Sequence, residues 1–244
     1  MRRRLMIYLF TIIVFFALLI AILLLLFGAI DPIGYKIEWA LDNQLEDSVN
    51  DIEHQSNNQA AYTFAFSKQL SAAVRNDLTD AQITFDQLRN TPDALESLQS
   101  RLFEVVHTNM LLAPCSGAFY FLNTTVNDSL PDKSYSGLYL KYANIYAENT
   151  IHNEVCLFRG FSTIAREKDI NLHSTWQLET LAGSFPEIDK LMSDKKEASS
   201  DSYFLTPVYK LPGTWESVRF FFVPILDAYG TTIGVCGYEI SSLY

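Results

Sequence analysis

Arg159 combines a residue type and a position that suit ligand binding. It follows an apolar segment, residues 155–158, and precedes Gly160, so we expect it at the end of a strand beside a pocket. Its guanidinium can bind a carboxylate through two parallel hydrogen bonds. The alternative is an internal salt bridge, to Glu167 or Glu179, and the sequence leaves both interpretations open.

Two aromatic residues further along the chain are candidates for pocket walls. Pockets favour rigid aromatic side chains that carry one polar group, and Trp176 and Tyr203 are of this kind. Packing in the core is the alternative for each of them, because the chain contains 13 tyrosines and 17 phenylalanines.

Catalytic and metal-binding patterns are absent from the sequence. None of the four histidines has a partner at metal-binding spacing, and there is no nucleophile elbow, P-loop or dinucleotide fingerprint. The cysteines, Cys115, Cys156 and Cys236, match neither a disulfide framework nor a zinc motif, and we interpret them as buried structural thiols. We therefore expect no enzyme activity, no cofactor and no metal site.

The elements that position these residues begin with a membrane anchor. Residues 5–30 form an uninterrupted apolar run directly after Arg2, Arg3 and Arg4. As a helix, the run would be about 39 Å long, which exceeds the ~30 Å hydrocarbon core of a bilayer. A cleaved signal peptide has a shorter apolar core and a small-residue cleavage site, so we favour a retained anchor. The positive-inside rule then predicts a single pass through the cell membrane, with a cytoplasmic N-terminus and residues 31–244 extracytoplasmic.

The part of the chain after the anchor is acidic. Three of the 18 basic residues precede the anchor, so residues 31–244 carry 15 basic and 28 acidic residues, a net charge of −13. A surface of this charge repels nucleic acids and anionic lipids. We therefore expect this part to bind no nucleic acid.

A long helix is predicted over residues 31–80. Its apolar residues recur at about every fourth position, which places them on one face. They are Ile33, Ile37, Leu41, Leu45, Val49, Ile52, Tyr62, Phe66, Leu70, Val74 and Leu78. Polar residues over 54–61 interrupt this stripe, so the helix bends there or its packing partner changes. We expect the half before the gap to pair with a second protomer, giving a homodimer, and the half from Tyr62 to pack on a globular domain.

Residues 81–244 predict an α+β domain whose central antiparallel sheet carries helices on one side. A helix starts at Thr91, because threonine can cap it and Pro92 and Asp93 suit its first turn. Shorter helices are predicted over 162–168 and 186–195. A solvated loop is predicted over 193–202 and a polar loop over 123–136. Strands are predicted over residues 117–122, 137–143, 155–158, 203–210, 216–226 and 231–240. Three parts result: residues 1–30, 31–80 and 81–244.

The closing segment carries a resemblance to a known family. Residues 222–241, FVPILDAYGTTIGVCGYEIS, resemble the closing hairpin of Cache domains. In that family a strand ending in P-I/V-x-D is followed by a glycine turn and then by I-G-V-x-G-x-D-I. Cache domains are PAS-like extracytoplasmic sensor modules of bacterial receptors, and the long helix between anchor and sheet is similar to theirs. The resemblance implies a PAS-like domain over residues 81–244 and a ligand on one face of its sheet.

The resemblance also implies a role for Glu239. In the amino-acid-binding members, an acidic residue on the closing strand holds the ammonium group of the ligand, and Glu239 occupies that position. The arginine and Trp-Tyr pair that hold the carboxylate at short spacing are not matched, since Arg159 precedes Gly160 and Trp176 lies well downstream. The implied ligand is a small molecule with a charged or hydrogen-bonding end: an organic acid, an amine or an amino-acid-like compound. Exposure to solvent from the other face is the alternative for Glu239.

The expected function is that of an extracytoplasmic small-molecule sensor domain of a membrane-bound signal-transduction receptor. Family members usually continue into a second membrane helix and a cytoplasmic effector, so we expect the output to lie beyond Tyr244 or in a separate protein. A membrane-anchored binding or scaffold subunit that acts through a partner is the alternative. An anchored hydrolase, with a nucleophile and a base far apart in sequence, is a third hypothesis.

Overall fold

The computed structural model describes residues 2–129, 133–143, 154–193, 203–211 and 213–242. The fold class is α+β, as predicted. The chain divides into two compact units, Met1–Ser56 and Asn57–Tyr244, and the boundary falls within the polar gap at residues 54–61. Helix α1 (Arg2–Asp80) contributes residues to both units.

The first unit consists of the N-terminal part of α1. Its segment Met6–Leu24 has a mean hydropathy of 3.1, and none of it is buried, so it is long and apolar enough to cross a membrane. The predicted anchor is supported to that extent, and its topology stays a prediction. Further along, the apolar side chains Ile37, Leu41, Leu45, Val49 and Ile52 are all exposed within this unit.

The second unit is built on one mixed sheet. Among the described residues, nine strands are joined in it, with the main order β4-β3-β2-β1-β9-β8-β6, β5 paired to β2 and β7 paired to β8. All pairs are antiparallel except β3 with β4, so the predicted antiparallel sheet is correct for most of its extent. The strands are β1 (Gly117–Leu122), β2 (Ser134–Tyr142), β3 (Val155–Arg159), β4 (Asn171–Gln177), β5 (Thr180–Leu181), β6 (Phe204–Leu205), β7 (Tyr209–Lys210), β8 (Ser217–Leu226) and β9 (Thr232–Ser241).

Helices cover both faces of this sheet, which corrects the expectation that they lie on one side. The helices after α1 are α2 (Pro92–Leu112), α3 (Ser162–Glu167) and α4 (Pro186–Ser193), with a 3-10 turn at Phe85–Leu88. The first core contains side chains of α1 and α2 packed on Tyr120, Tyr238 and their neighbours. The second core contains Ile188, Leu191 and Met192 of α4, packed on Phe119 and its neighbours. Helix α4 is amphipathic, and its apolar side packs on this second face of the sheet.

The distal part of α1 packs as predicted. Phe66, Leu70 and Val74 recur every fourth residue and are almost completely buried in the first core. Side chains of α1 also bind the sheet directly. The Ser67 hydroxyl donates to the carbonyl of Pro224 at 2.6 Å, and the backbone N–H of Leu226 donates to the hydroxyl of Ser71 at 3.2 Å. Strand β8 is thereby attached to this part of the helix.

Three details differ from the prediction. Strand β2 begins at Ser134, within the predicted loop 123–136. The predicted strand 203–210 is two short strands, because Pro207, which has no backbone N–H for the ladder, lies between β6 and β7. Strand β4 was not predicted, since five of its seven residues are polar, none is fully buried and its apolar residues do not alternate with polar ones. The predicted loop 193–202 falls mainly outside the described residues.

Candidate ligand-binding site

The second core encloses a group of ionisable side chains, here called the polar cluster. Its apolar part is aromatic: the rings of Tyr139 and Phe158 lie 4.9 Å apart, and those of Phe119 and Phe220 lie 5.3 Å apart. Charged groups inside a protein are costly unless they are paired, so their presence beside such a core needs a reason. The polar cluster comprises Ser116, Tyr139, Lys141, Arg159, His173, Glu216 and Glu239.

The strand register assembles the centre of the cluster. Gly117 on β1 is the partner of Lys141 on β2 and of Glu239 on β9. A Cβ atom on Gly117 would lie 2.8 Å from the Leu140 carbonyl oxygen and 3.2 Å from Cγ of Lys141. Because glycine leaves this space free, the side chains of Lys141 and Glu239 meet across β1, although their strands are not neighbours.

Glu239 is completely buried, and both of its carboxylate oxygens accept hydrogen bonds. One carboxylate oxygen accepts from the Ser116 hydroxyl at 2.7 Å and from Nζ of Lys141. The other oxygen accepts from the Tyr139 hydroxyl. Burial raises the pKa of Tyr139 well above its usual range, and the Glu239 carboxylate raises it further. Tyr139 therefore remains a hydrogen-bond donor.

Lys141 is the cation at the centre of the cluster. Its side chain is 0% exposed, and Nζ also forms a salt bridge with Glu216 Oε2 at 2.9 Å. The Glu216 side chain is 20% exposed and connects the cluster to solvent. Lysine is almost never buried to this extent unless it is paired, and here two carboxylates supply the pairing.

Arg159 lies beside this centre, opposite Tyr139 in the β2–β3 pair. The residue is 7% exposed, and its guanidinium carbon is 3.9 Å from the centroid of the Phe158 ring. Nη1 donates to the carbonyl oxygens of Phe158 at 2.7 Å and Thr175 at 3.1 Å. Burial lowers the pKa of Arg159 to about 10.

The salt bridges considered for Arg159 are not formed. Glu167 accepts from Ser100, and Glu179 accepts from Thr125, Ser134 and the Val126 backbone. Over the part of the chain that the structure describes, Arg159 has no salt bridge. The internal salt bridge to Glu167 or Glu179, which was the alternative to an anion-binding role for Arg159, is therefore not present.

The four candidate residues from the sequence fall into two groups. Arg159 and Glu239 lie together around Tyr139, whose pKa the former lowers and the latter raises. Trp176 is partly buried against the first core and donates from Nε1 to the Gly160 carbonyl at 2.9 Å. Tyr203 is 45% exposed and stacks on Phe221, with the ring centroids 5.2 Å apart. Neither aromatic residue contributes to the polar cluster.

His173 completes the cluster on β4, next to Arg159. Its ring lies 4.9 Å from that of Phe158, and Nδ1 lies 3.0 Å from the Thr175 hydroxyl. Burial lowers the pKa of His173 from its usual value, and the charges of Lys141 and Arg159 act in the same direction, against those of Glu216 and Glu239. The neutral imidazole is thereby favoured, and it can donate or accept hydrogen bonds without adding a charge to the cluster.

The comparisons with known proteins add no identification. No protein-family model matches the chain, and no curated protein or solved structure matches it. Within the described ranges, no group of three or more His, Cys, Asp or Glu side chains is placed to hold a metal ion. The three cysteines are free and buried, as predicted. The class that can be stated is an α+β domain that follows a helix able to span a membrane.

Proposed function

We propose that this chain is the extracytoplasmic small-molecule sensor domain of a membrane-bound signal-transduction receptor, of the PAS-like Cache type. The observation that carries the proposal is the position of the polar cluster. It lies on the face of the sheet opposite to the face on which α1 packs, and β9 contributes to both through the consecutive residues Tyr238 and Glu239.

The polar cluster supports the first part of this function, the binding of a small molecule. Clusters of buried charged side chains occur preferentially at functional sites, because a core built only for stability gains more from apolar packing. Here Lys141, Glu239 and Arg159 lie beside an aromatic core. Rigid aromatic walls with a few charged groups are the usual composition of a small-molecule site.

The attachment of α1 to the sheet supports the second part of this function, in which a change at the sheet is transmitted to the helix. Phe66 contacts Tyr238 of β9, and Ser67 and Ser71 bind β8, so a displacement of the β8–β9 hairpin moves this part of the helix. A ligand that favours one arrangement of the hairpin shifts the population of helix positions accordingly. The same helix contains the apolar segment Met6–Leu24.

The membrane-proximal part of α1 is proposed to pair with a second copy of the chain. Its apolar residues recur on one face and remain exposed; Leu45 is 69% exposed. A long isolated helix with an unburied apolar stripe is not stable in water and needs a partner. Two copies in one membrane present the same stripe in parallel, which satisfies this need symmetrically.

The test is a thermal-shift screen of the full chain in detergent micelles against organic acids, amines and amino acids. We expect a compound that raises Tm by about 2–4 °C, the shift that binding of this kind produces in a domain of this size. The shift should disappear in Arg159→Met. The matched control is Arg219→Met, since Arg219 is an exposed arginine on β8.

Two results would count against the sensor function. One is the absence of any stabilising compound across the three classes. The other is a stabiliser that acts equally on the wild type, on Arg159→Met and on Arg219→Met, because such a compound binds elsewhere.

A further inference from the structure

Glu239 already holds an ammonium group, and that group comes from the chain itself. Its carboxylate accepts from Lys141, Tyr139 and Ser116, which occupies most of the positions at which a carboxylate accepts hydrogen bonds. Both Glu239 and Lys141 are 0% exposed at their side chains. An incoming amine would therefore find its counter-ion both inaccessible to solvent and occupied.

Displacement of Lys141 by a ligand amine is unfavourable. The lysine is fixed between Glu239 and Glu216, and its stem is enclosed between strands. A ligand ammonium that took its place would leave the Lys141 charge buried without its principal partner, and a broken buried ion pair is strongly destabilising. An intramolecular group also loses less freedom on binding than a free amine does.

Arg159 presents the opposite situation. It is more than nine-tenths buried, and Nη1 is the only guanidinium nitrogen that donates a hydrogen bond to another described residue. Its acceptors are neutral backbone carbonyls, and it lies over the face of an aromatic ring. A buried guanidinium that lacks a carboxylate partner is suited to receive one from a ligand, through the Nε and Nη2 edge.

We propose that Lys141 is a built-in ammonium ligand of Glu239, so that the site excludes amines and selects a small organic carboxylate through Arg159. The occupation of Glu239 rests on geometry alone, whereas the selection of a carboxylate rests on the sensor function proposed above. Lys141 is then a specificity-determining residue.

Chemical rescue tests the role of Lys141. Lys141→Ala removes Cγ, Cδ, Cε and Nζ, which correspond to n-propylammonium. We expect n-propylammonium at millimolar concentration to raise the Tm of full-length Lys141→Ala by about 2–4 °C. Ethylammonium and n-butylammonium should be less effective, and n-propanol, which has the same length but no charge, should have no effect. The control is Lys133→Ala. Lys133 is exposed and directly precedes β2, so its removal leaves no buried space and this variant should not respond to n-propylammonium.

The wild type supplies a second test that needs no folded variant. Alkylamines should not stabilise the wild type, whereas a small carboxylate should, and Arg159→Met should abolish that effect. Stabilisation of the wild type by amines, lost in Glu239→Gln, would overturn the exclusion of amines but would leave the sensor function standing. A Lys141→Ala protein that responds equally to n-propylammonium and n-propanol would overturn the role of Lys141. The absence of any stabiliser of the wild type would instead contradict the sensor function.

Discussion

The rings of Phe66 on α1 and Tyr238 on β9 lie 5.4 Å apart, with their planes inclined at 32°. Both residues are buried, and the residue after Tyr238 is Glu239, whose side chain enters the polar cluster on the opposite face. Successive residues of a strand point to opposite faces, so one peptide unit separates the contact with the helix from the candidate ligand site. Under the proposed function, a ligand that alters the packing around the polar cluster would shift β9, and α1 would shift with it through this contact.

Removal of the Phe66 ring should destabilise this contact. We expect Phe66→Ala to lower the free energy of unfolding by about 3–5 kcal/mol, because Phe66 is completely buried and its removal leaves a cavity. Tyr62, one turn earlier, is 40% exposed, and Tyr62→Ala should cost about 1 kcal/mol or less. The measurement is urea denaturation in detergent. Equal losses in the two variants would show that α1 does not pack on the sheet through Phe66.

The buried pair Lys141–Glu239 should behave as a unit in a double-mutant cycle. Lys141→Met and Glu239→Gln each leave a buried charge without its principal partner, so each should lower the free energy of unfolding by about 3–5 kcal/mol. The double variant removes both charges and should recover most of this loss. Denaturant unfolding of the four proteins measures the coupling. Additive losses would mean that the two side chains do not interact.

The fold was largely predictable because its elements carry strong local patterns. The stripe through Phe66, Leu70 and Val74 predicts a helix with one buried face, and the structure buries these residues. Strand β9 is marked by its apolar residues and by the turn at Gly230, whose φ is +80°. Strand β4 has no such pattern. It pairs with β3, and only single side chains such as Trp176 pack against a core, so no apolar face marks it in the sequence.

The candidate site was predictable only in part. Arg159 was singled out from its position at the end of a strand, and Glu239 from the resemblance of the closing hairpin to Cache domains. Lys141 was missed, although it is the only charged residue of its strand. Its role depends on the register that places Gly117 opposite both Lys141 and Glu239, and a single sequence does not determine how strands align across a sheet. Trp176 and Tyr203 have the residue type of pocket walls, but Trp176 packs against the first core and Tyr203 stacks on Phe221.

The buried thiol of Cys115 should contribute to stability below pH 9 and lose that contribution in alkali. Burial raises its pKa from 9.0 to about 12, so the folded state retains a proton that the unfolded state loses. The unfolded state thus binds fewer protons between pH 9 and pH 12, and the free energy of unfolding falls as pH rises through this window. Between pH 9 and pH 10 the loss attributable to this thiol should approach 1 kcal/mol.

Cys115→Ala isolates this effect. The substitution changes the stability at every pH, so the quantity to compare is the slope of the free energy of unfolding between pH 8 and pH 10. The slope should be shallower in Cys115→Ala than in the wild type. Identical slopes would mean that the thiol titrates normally in the folded protein and is not buried as described.

The proposed pairing of α1 can be tested by disulfide cross-linking in membranes. Leu45 lies on the exposed apolar stripe, whereas Asp47 lies about 200° further around the helix, at 100° per residue. We expect Leu45→Cys to form a covalent dimer on mild oxidation and Asp47→Cys to remain mostly monomeric, since the native cysteines are buried. Cross-linking of equal extent at both positions would indicate random collision, and would contradict a specific seam.

If the chain is a sensor as proposed, binding at the polar cluster moves α1. The most direct measurement is the distance between spin labels at Asp47→Cys in the two copies of the chain, determined by pulsed electron paramagnetic resonance in nanodiscs. The ligand added is the carboxylate that gives the largest rise in Tm. We predict that this carboxylate shifts the distance distribution in the wild-type background and leaves it unchanged in Arg159→Met. A carboxylate that binds and stabilises the protein but leaves the distances unchanged would contradict the account.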